Sequence, residues 1–311
     1  MVNTPCAHAN TRELSRLANC TLYECGDCGL VFNEHYLKET DPHELYEEYY
    51  QNETAKRFNF GIEAIIRTFR FYRAFKIFTI YPSAKTILDV GSGRGFMLFF
   101  LKKYFGYTRA AGIQISRNAV QFSREKLGLE IYDRDLMELQ FANGAFDVIS
   151  MWHVLEHLKH PEKYLEKLAS MLAPGGRLII EVPNFNSWTR AFSGCYWLGL
   201  DPGFHLTYFS PKQFMNLFEK YGLSAKLRHT FSLEYSTFHS AQSIVSLLTG
   251  TDHFFFRFMQ EAKFTPALIL HIFLFLLVTP PCFLVNLLLY FSGRGEVLLV
   301  VAEKPRDGKA G

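Results

Sequence analysis

Between Thr86 and Pro183 the chain switches repeatedly between two hydrophobic periods, and that alternation restricts its fold more than any other feature. "TILDVGSGRGFMLFFLKKY" reads as a strand from Thr86 to Val90, a glycine turn and a helix. "AAGIQIS" and "NAVQFSREKLG" repeat strand then helix, "AFDVISMW" and "PEKYLEKLASML" repeat it again, and "GGRLIIEVP" is a further strand. Strands joined through helices run parallel, so the expectation is an α/β sheet with helices on both faces. Pro211 starts another helix, "PKQFMNLFEKYG", and "SAKLRHTF" and "GEVLLVVAEKP" are two later strands. No internal repeat is visible. A chain of 311 residues is long enough to bury such a core.

Gly91, Gly93 and Gly95 form G-x-G-x-G at the mouth of the first strand of this run. Glycines there let a ligand approach the backbone, and the N-terminus of the following helix favours negative charge. The spacing differs from the G-x-G-x-x-G of dinucleotide sites. Asp89, two residues earlier, would repel a pyrophosphate but can receive an ammonium.

With "LDVGSGRGF", "RDLMELQFANGAFDVI", "HVLEHL" and "LAPGGRLIIEVPN", the chain resembles the class I S-adenosylmethionine-dependent methyltransferases, from Thr86 to about Leu223 and again over Glu296–Lys304. The resemblance implies a Rossmann-like α/β fold. It has a seven-stranded sheet with helices on both faces, here over residues 84–304 with an insertion at about 233–292. It implies that Asp89, Gly91 and Gly93 hold the methionine end of S-adenosylmethionine and that Asp135 reaches the adenine amino group. Where the family usually carries an acid for the ribose hydroxyls, this chain has Gln114, which can accept from one hydroxyl and donate to another.

His153, Glu156 and His157 follow the "AFDVISMW" strand as H-x-x-E-H, a spacing that shares one face of a helix. In related small-RNA and quinone-pathway O-methyltransferases E-x-x-E-H binds a divalent metal, and His205 in "GFHLTYF" stands where the RNA enzymes add a distal histidine. Three roles stay open. His157 and His205, with His153, border the acceptor as base or orienting groups; the cluster holds a metal; or the histidines are structural. Tyr208 and Trp152 are expected as pocket wall.

Four of the six cysteines lie near the N-terminus, Cys6, Cys20, Cys25 and Cys28. The first residues lack an apolar signal-peptide core, which argues against disulfides. "YECGDCGLVF" has the form of one zinc-ribbon knuckle, and Cys6 and His8 offer a second pair. Residues 1–35 therefore form a small Cys-rich segment, either binding Zn(II) through Cys6, His8, Cys25 and Cys28 or a ribbon that has lost its metal. Residues 36–83 read as a helical connector. Its helix from Thr54 to Tyr81 gathers Ile62, Ile65, Ile66, Phe69, Tyr72 and Phe75 near one face, with Arg67, Arg70, Arg73 and Lys76 alongside. The expectation is packing on the α/β domain with a solvated basic edge; contact with an anionic membrane surface is the alternative.

"LHIFLFLLVTPPCFLVNLLLYF", Leu270–Phe291, interrupts the domain before its last strand. In this fold the strands on either side are neighbours, so a single crossing of a membrane is excluded. Pro280 and Pro281 are expected to break the stretch into two short helices, a hairpin over residues 265–291 dipping into one leaflet. Flanking Arg257, Lys263 and Arg294 and the run Phe254, Phe255 and Phe256 suit an interface. Burial against the protein or a dimer partner is the alternative. The net charge of +3 gives no nucleic-acid signal. The chain is thus expected to methylate a small-molecule or lipid-linked acceptor on the cytoplasmic side of a membrane, oxygen being the first choice of atom. The competing expectation is a non-catalytic cofactor-binding protein or membrane scaffold.

Overall fold

The computed structural model describes residues 6, 8–18, 20–38, 60–251, 254 and 266–306. Residues 39–59 of the connector lie outside them, as do Phe255, Phe256, Arg257 and Lys263. Strands β1 (Thr11–Arg16), β2 (Thr21–Cys25) and β3 (Val31–Asn33) open the chain, followed by a single turn of helix, α1 (Glu34–Leu37). Helix α2 (Phe60–Ile80) leads to β4 (Thr86–Val90), α3 (Phe96–Tyr104), β5 (Arg109–Ile113), α4 (Arg117–Leu127) and β6 (Glu130–Tyr132). After β7 (Phe146–Trp152), α5 (Pro161–Met171) and β8 (Leu172–Pro183) come α6 (Trp188–Ser193), β9 (Thr207–Tyr208), α7 (Pro211–Glu219) and β10 (Ser224–His229). The chain then forms α8 (Ser236–Thr249), α9 (Pro266–Leu288) and the last strand, β11 (Val297–Glu303).

The main sheet has the order β10-β11-β8-β7-β4-β5-β6. Its strands pair in parallel from β8 to β6, whereas β11 lies antiparallel to both β8 and β10. Buried on both faces, the central strands are continuous apolar runs. Leu88 and Ile149 pack with Leu168 on one side, and Ile87 and Val148 with Leu98 and Leu101 on the other. The N-terminal strands form a second sheet completed by β9, with Val31 opposite Tyr208 and Phe32 opposite Thr207.

Two expectations are corrected. The proline pair does not break the apolar stretch, because α9 runs continuously through Pro280 and Pro281. The two carbonyls that lose partners belong to Leu276 and Leu277, both on the exposed face. Just before the pair, the Thr279 hydroxyl donates to the Phe275 carbonyl at 2.6 Å, and α8 packs along the other side. The hairpin is therefore formed by α8 and α9 as antiparallel partners, with Ser236 beside Asn286 and Thr251 beside His271. At 1.5 Å per residue α9 is about 34 Å long. It is the one helix among the described residues that is long and apolar enough to cross a membrane. Because β10 and β11 are sheet neighbours, the hairpin leaves and rejoins the same sheet.

The second correction concerns α2. From Arg70 onward its basic edge is turned inward: the Arg70 and Arg73 guanidiniums each lie 2.7 Å from Glu234, and the Lys76 ammonium lies 4.0 Å from Glu181, while Arg67 stays exposed and pairs with Glu63 one turn earlier. Phe71, Tyr72 and Phe75 are exposed instead. The reason lies outside the helix, in two carboxylates on distant elements that claim its cations.

Candidate functional site

The C-terminal ends of β4, β5, β6 and β7 open onto one rim, where ligands bind in sheets of this kind. Gly91, Gly93 and Gly95 follow β4 with φ of +79°, +53° and +73°, the left-handed region that glycine enters without a Cβ clash. A Cβ on Gly91 would stand 2.3 Å from Val154, and one on Gly95 would stand 2.6 Å from Leu129. One on Gly93 would meet nothing within 4 Å, so that backbone faces open space at the N-terminus of α3. Gly112 on β5 supports the turn from below, since a Cβ there would lie 2.5 Å from the Ser92 hydroxyl.

Asp89 is buried at the end of β4 and accepts a 2.6 Å hydrogen bond from the Ser150 hydroxyl. Burial pushes its pKa up to about 7, against the lowering effect of Ser150 and Arg73. The Gln114 oxygen turns back on its own backbone and accepts from the N–H groups of Ile115 and Ser116 at 2.8 and 3.1 Å. Its amide NH2 is thus the group suited to meet a hydroxyl. Asp135 caps the turn Leu136–Glu138, accepting from the Met137 N–H at 2.7 Å and from the Tyr164 hydroxyl at 3.0 Å.

The histidines separate into two groups. Only one 3-10 turn, Leu155–His157, follows β7, so His153, Glu156 and His157 do not share a helical face as their spacing predicts. His153 sits at φ +55°, a conformation costing a non-glycine residue about 1 kcal/mol. Its ring lies between Glu181 at 3.3 Å and Glu156 at 3.4 Å, and 4.2 Å from the ring of Tyr235. Burial opposes its charge, but the two carboxylates outweigh burial and push its pKa up to about 10. His157 and His205 meet ring to ring at 4.8 Å. Each uses Nδ1 on a backbone carbonyl, His157 on Phe204 at 3.0 Å and His205 on Gly199 at 2.9 Å. A carbonyl only accepts, so Nδ1 carries the proton and Nε2 is the basic nitrogen of the neutral ring. Burial lowers the pKa of both histidines.

Against known proteins, residues 65–226 match the methyltransferase domain family, just over half of the 311 residues. This chain belongs to that family. The chain is 32% identical over 101 residues to the demethylmenaquinone methyltransferase of Thermus thermophilus, 31% of this chain and 46% of that protein. It is 26% identical over 107 residues to the ubiquinone biosynthesis O-methyltransferase of Coxiella burnetii, 33% of this chain and 45% of that one. The chain thus spans a little under half the length of both relatives. In fold it resembles the crystal structure of a putative sarcosine dimethylglycine methyltransferase from Galdieria sulphuraria. The TM-score is 0.51 at 16% identity, covering 78% of this chain and 88% of that one.

Among the described residues, two clusters in this chain have the chemistry of metal sites. Ligand atoms of Cys6, His8, Cys25 and Cys28 all lie within 4.8 Å of one another. The Cys6–Cys25 sulfur separation is 3.7 Å and Cys28 Sγ lies 3.5 Å from His8 Nδ1. A tetrahedron with bonds of about 2.3 Å has edges of about 3.8 Å, so the donor set fits Zn(II). Cys20 stays apart, buried with Tyr208 and Trp197. Glu156, His157 and His205 form the second cluster, and beyond its 3.4 Å ion pair with His153 the Glu156 carboxylate has no hydrogen-bond partner.

Sequence reasoning missed several groups that shape the rim. Tyr164, Glu181 and Tyr235 come from three distant elements, and no local spacing links them to Asp135 or His153. Trp152 was expected as wall, and it lies with the Arg73 guanidinium 4.8 Å from its ring. Tyr208, expected beside it, is instead held in the N-terminal sheet, where its hydroxyl donates to the Leu200 carbonyl at 2.8 Å.

Proposed function

We propose that this chain methylates an acceptor that resides in or at a membrane, with S-adenosylmethionine as donor. The observation that carries the reading is the inverted polarity of the α8–α9 hairpin. Its inner surface buries Ser236, Ser240, Ser243, Ser246, His271 and Asn286. Asn286 Nδ2 donates to the Ser240 hydroxyl at 2.8 Å, and its Oδ1 accepts from the Trp188 indole at 3.1 Å. The outer surface is apolar, with Ile269 at 75% and Leu288 at 83% exposure. Small and polar residues between helices with apolar side chains outward is the arrangement suited to lipid, because water would penalise the outer surface.

The hairpin is rooted beside the site. Glu234 and Tyr235 precede or open α8, and Tyr235 and His239 lie 4.2 and 6.5 Å from the His153 ring. An acceptor held at a membrane by its lipid tail would therefore have its reactive head near the β7 rim. A prenylated quinone, a lipid or a lipid-linked sugar fits, and the quinone names of two relatives support the first of these. Oxygen remains the favoured atom and carbon the alternative.

S-adenosylmethionine supplies an electrophilic methyl group when bound. Gly93 leaves room for it at the α3 N-terminus, ionised Asp89 would meet its ammonium, and Asp135 with Gln114 would hold its nucleoside. His157 or His205 would take the acceptor's proton at Nε2, with buried Glu156 stabilising the imidazolium. The three residues could instead hold a divalent ion that lowers the acceptor's pKa. The N-terminal Zn(II) reading gives that segment a structural role, since its strands have little apolar core of their own.

A cofactor-binding scaffold is the second reading, favoured by the Gln114 oxygen being engaged by backbone. Calorimetry with S-adenosylmethionine, followed by assay of methyl transfer to extracted membrane lipids, separates the two. Binding without transfer to any lipid fraction would leave the scaffold.

A further inference from the structure

We propose that the aromatic face shared by α2 and α3 is a second membrane-contact surface, seated at the lipid headgroup level while α9 enters the leaflet; this rests on the membrane reading above. Phe71 and Phe75 of α2 are 42% and 47% exposed, and Tyr104 of α3 is 56% exposed. They form one patch: Phe71 lies 5.4 Å from Phe100 and 6.1 Å from Tyr104, and Phe78 lies 5.1 Å from Phe105. Aromatic side chains on a water-exposed helix face are costly to solvate, and this helix instead turns Arg70, Arg73 and Lys76 inward. The inversion repeats that of α9 on an independent element.

Lipid is favoured as occupant by charge and by continuity. Lys102 and Lys103 are exposed on α3, and the Lys103 ammonium lies 5.4 and 5.2 Å from the rings of Phe99 and Tyr104. Lysines rimming aromatics match an anionic headgroup layer. In a two-fold contact between copies the same lysines would face each other and repel. Continuity comes from Tyr72, which shares a small hollow with exposed Leu233 at the hairpin root. At the same root, beyond Leu288 at the C-terminal end of α9, Phe291 is 82% exposed. Exposed aromatic and apolar side chains thus run from α3 across α2 to the hairpin root, bordering a hollow that also holds Arg73, Lys76 and Glu234, and the molecule would lie on the bilayer along two surfaces that fix its tilt.

Hydroxyl-radical footprinting of the full chain, with and without vesicles of phosphatidylcholine and phosphatidylglycerol, tests this without altering the protein. The expected result is vesicle-dependent protection, several-fold, of Phe71, Phe75 and Tyr104 together with Phe273 and Leu277. Protection of Phe273 and Leu277 alone overturns the second surface and leaves the hairpin anchor standing. Protection of neither set overturns the anchor and this inference with it. Protection that appears without vesicles and rises with protein concentration assigns the face to a second copy and also overturns it. As a second arm, a Phe71→Ser, Phe75→Ser variant with unchanged circular dichroism should bind these vesicles about tenfold more weakly. Equal binding contradicts the proposal.

Discussion

Gly93 is the residue at which the cofactor reading is most exposed to test. Its backbone faces open space, so a valine there would fill the ligand's approach without striking protein, although its positive φ adds strain. A folded Gly93→Val protein should show no measurable S-adenosylmethionine binding by calorimetry; unchanged affinity removes the site assignment. Asp89 adds a pH signature. Its pKa near 7 means that the carboxylate an ammonium needs is only partly ionised at pH 6. Cofactor affinity should therefore rise between pH 6 and 8, and Asp89→Asn should bind weakly at both. The buried histidines make a third test. His157→Ala and His205→Ala should lower turnover by about 10²-fold while cofactor affinity is retained. Lost affinity with normal turnover at saturation would mark them as structural. Glu296, buried between Thr189 and the Trp197 indole, has a pKa raised to about 7 by burial. A raised carboxylate pKa makes the native state hold its proton longer than the unfolded chain does. Its contribution therefore declines as pH rises from about 4.5 to 7. Glu296→Gln should gain stability relative to the parent by about 2 kcal/mol between pH 5 and 8, read from denaturant midpoints. A difference independent of pH would show that Glu296 titrates normally.

At the scale of elements, the α/β run was legible because its cues are local. Alternating apolar periods, glycines at β4 and Pro161 and Pro211 at helix starts each act within a few residues of where they stand. What was not legible depends on groups far apart in sequence. The inward turn of the α2 cations is set by Glu181 and Glu234, more than a hundred residues away. The survival of α9 through its proline pair depends on the packing of α8 along it, a partner tens of residues away in sequence. The break at His153 comes from two carboxylates gripping its ring, which no H-x-x-E-H spacing encodes. Asn286 tests the hairpin's interior. Asn286→Leu would leave the Trp188 indole N–H without its acceptor and remove the bond donated to Ser240, whose hydroxyl keeps the Ser236 carbonyl, and should cost about 1–3 kcal/mol of stability. A neutral outcome would mean that the polar seam does not hold the two helices together.

For the whole molecule, an α/β domain presents two inverted surfaces, the outer side of α9 and the face of α2 and α3. The rim of β4 to β7 lies between these elements through Arg73, Glu234 and Tyr235. The most direct test of the account is to incubate the full chain with native membranes and methyl-labelled S-adenosylmethionine, then count label in the organic-extractable fraction. The account predicts label in a lipid-soluble product, abolished by Gly93→Val and strongly reduced when residues 233–292 are replaced by a short Gly/Ser linker in a folded protein. Label confined to water-soluble product, or lipid labelling unchanged without the hairpin, would contradict it.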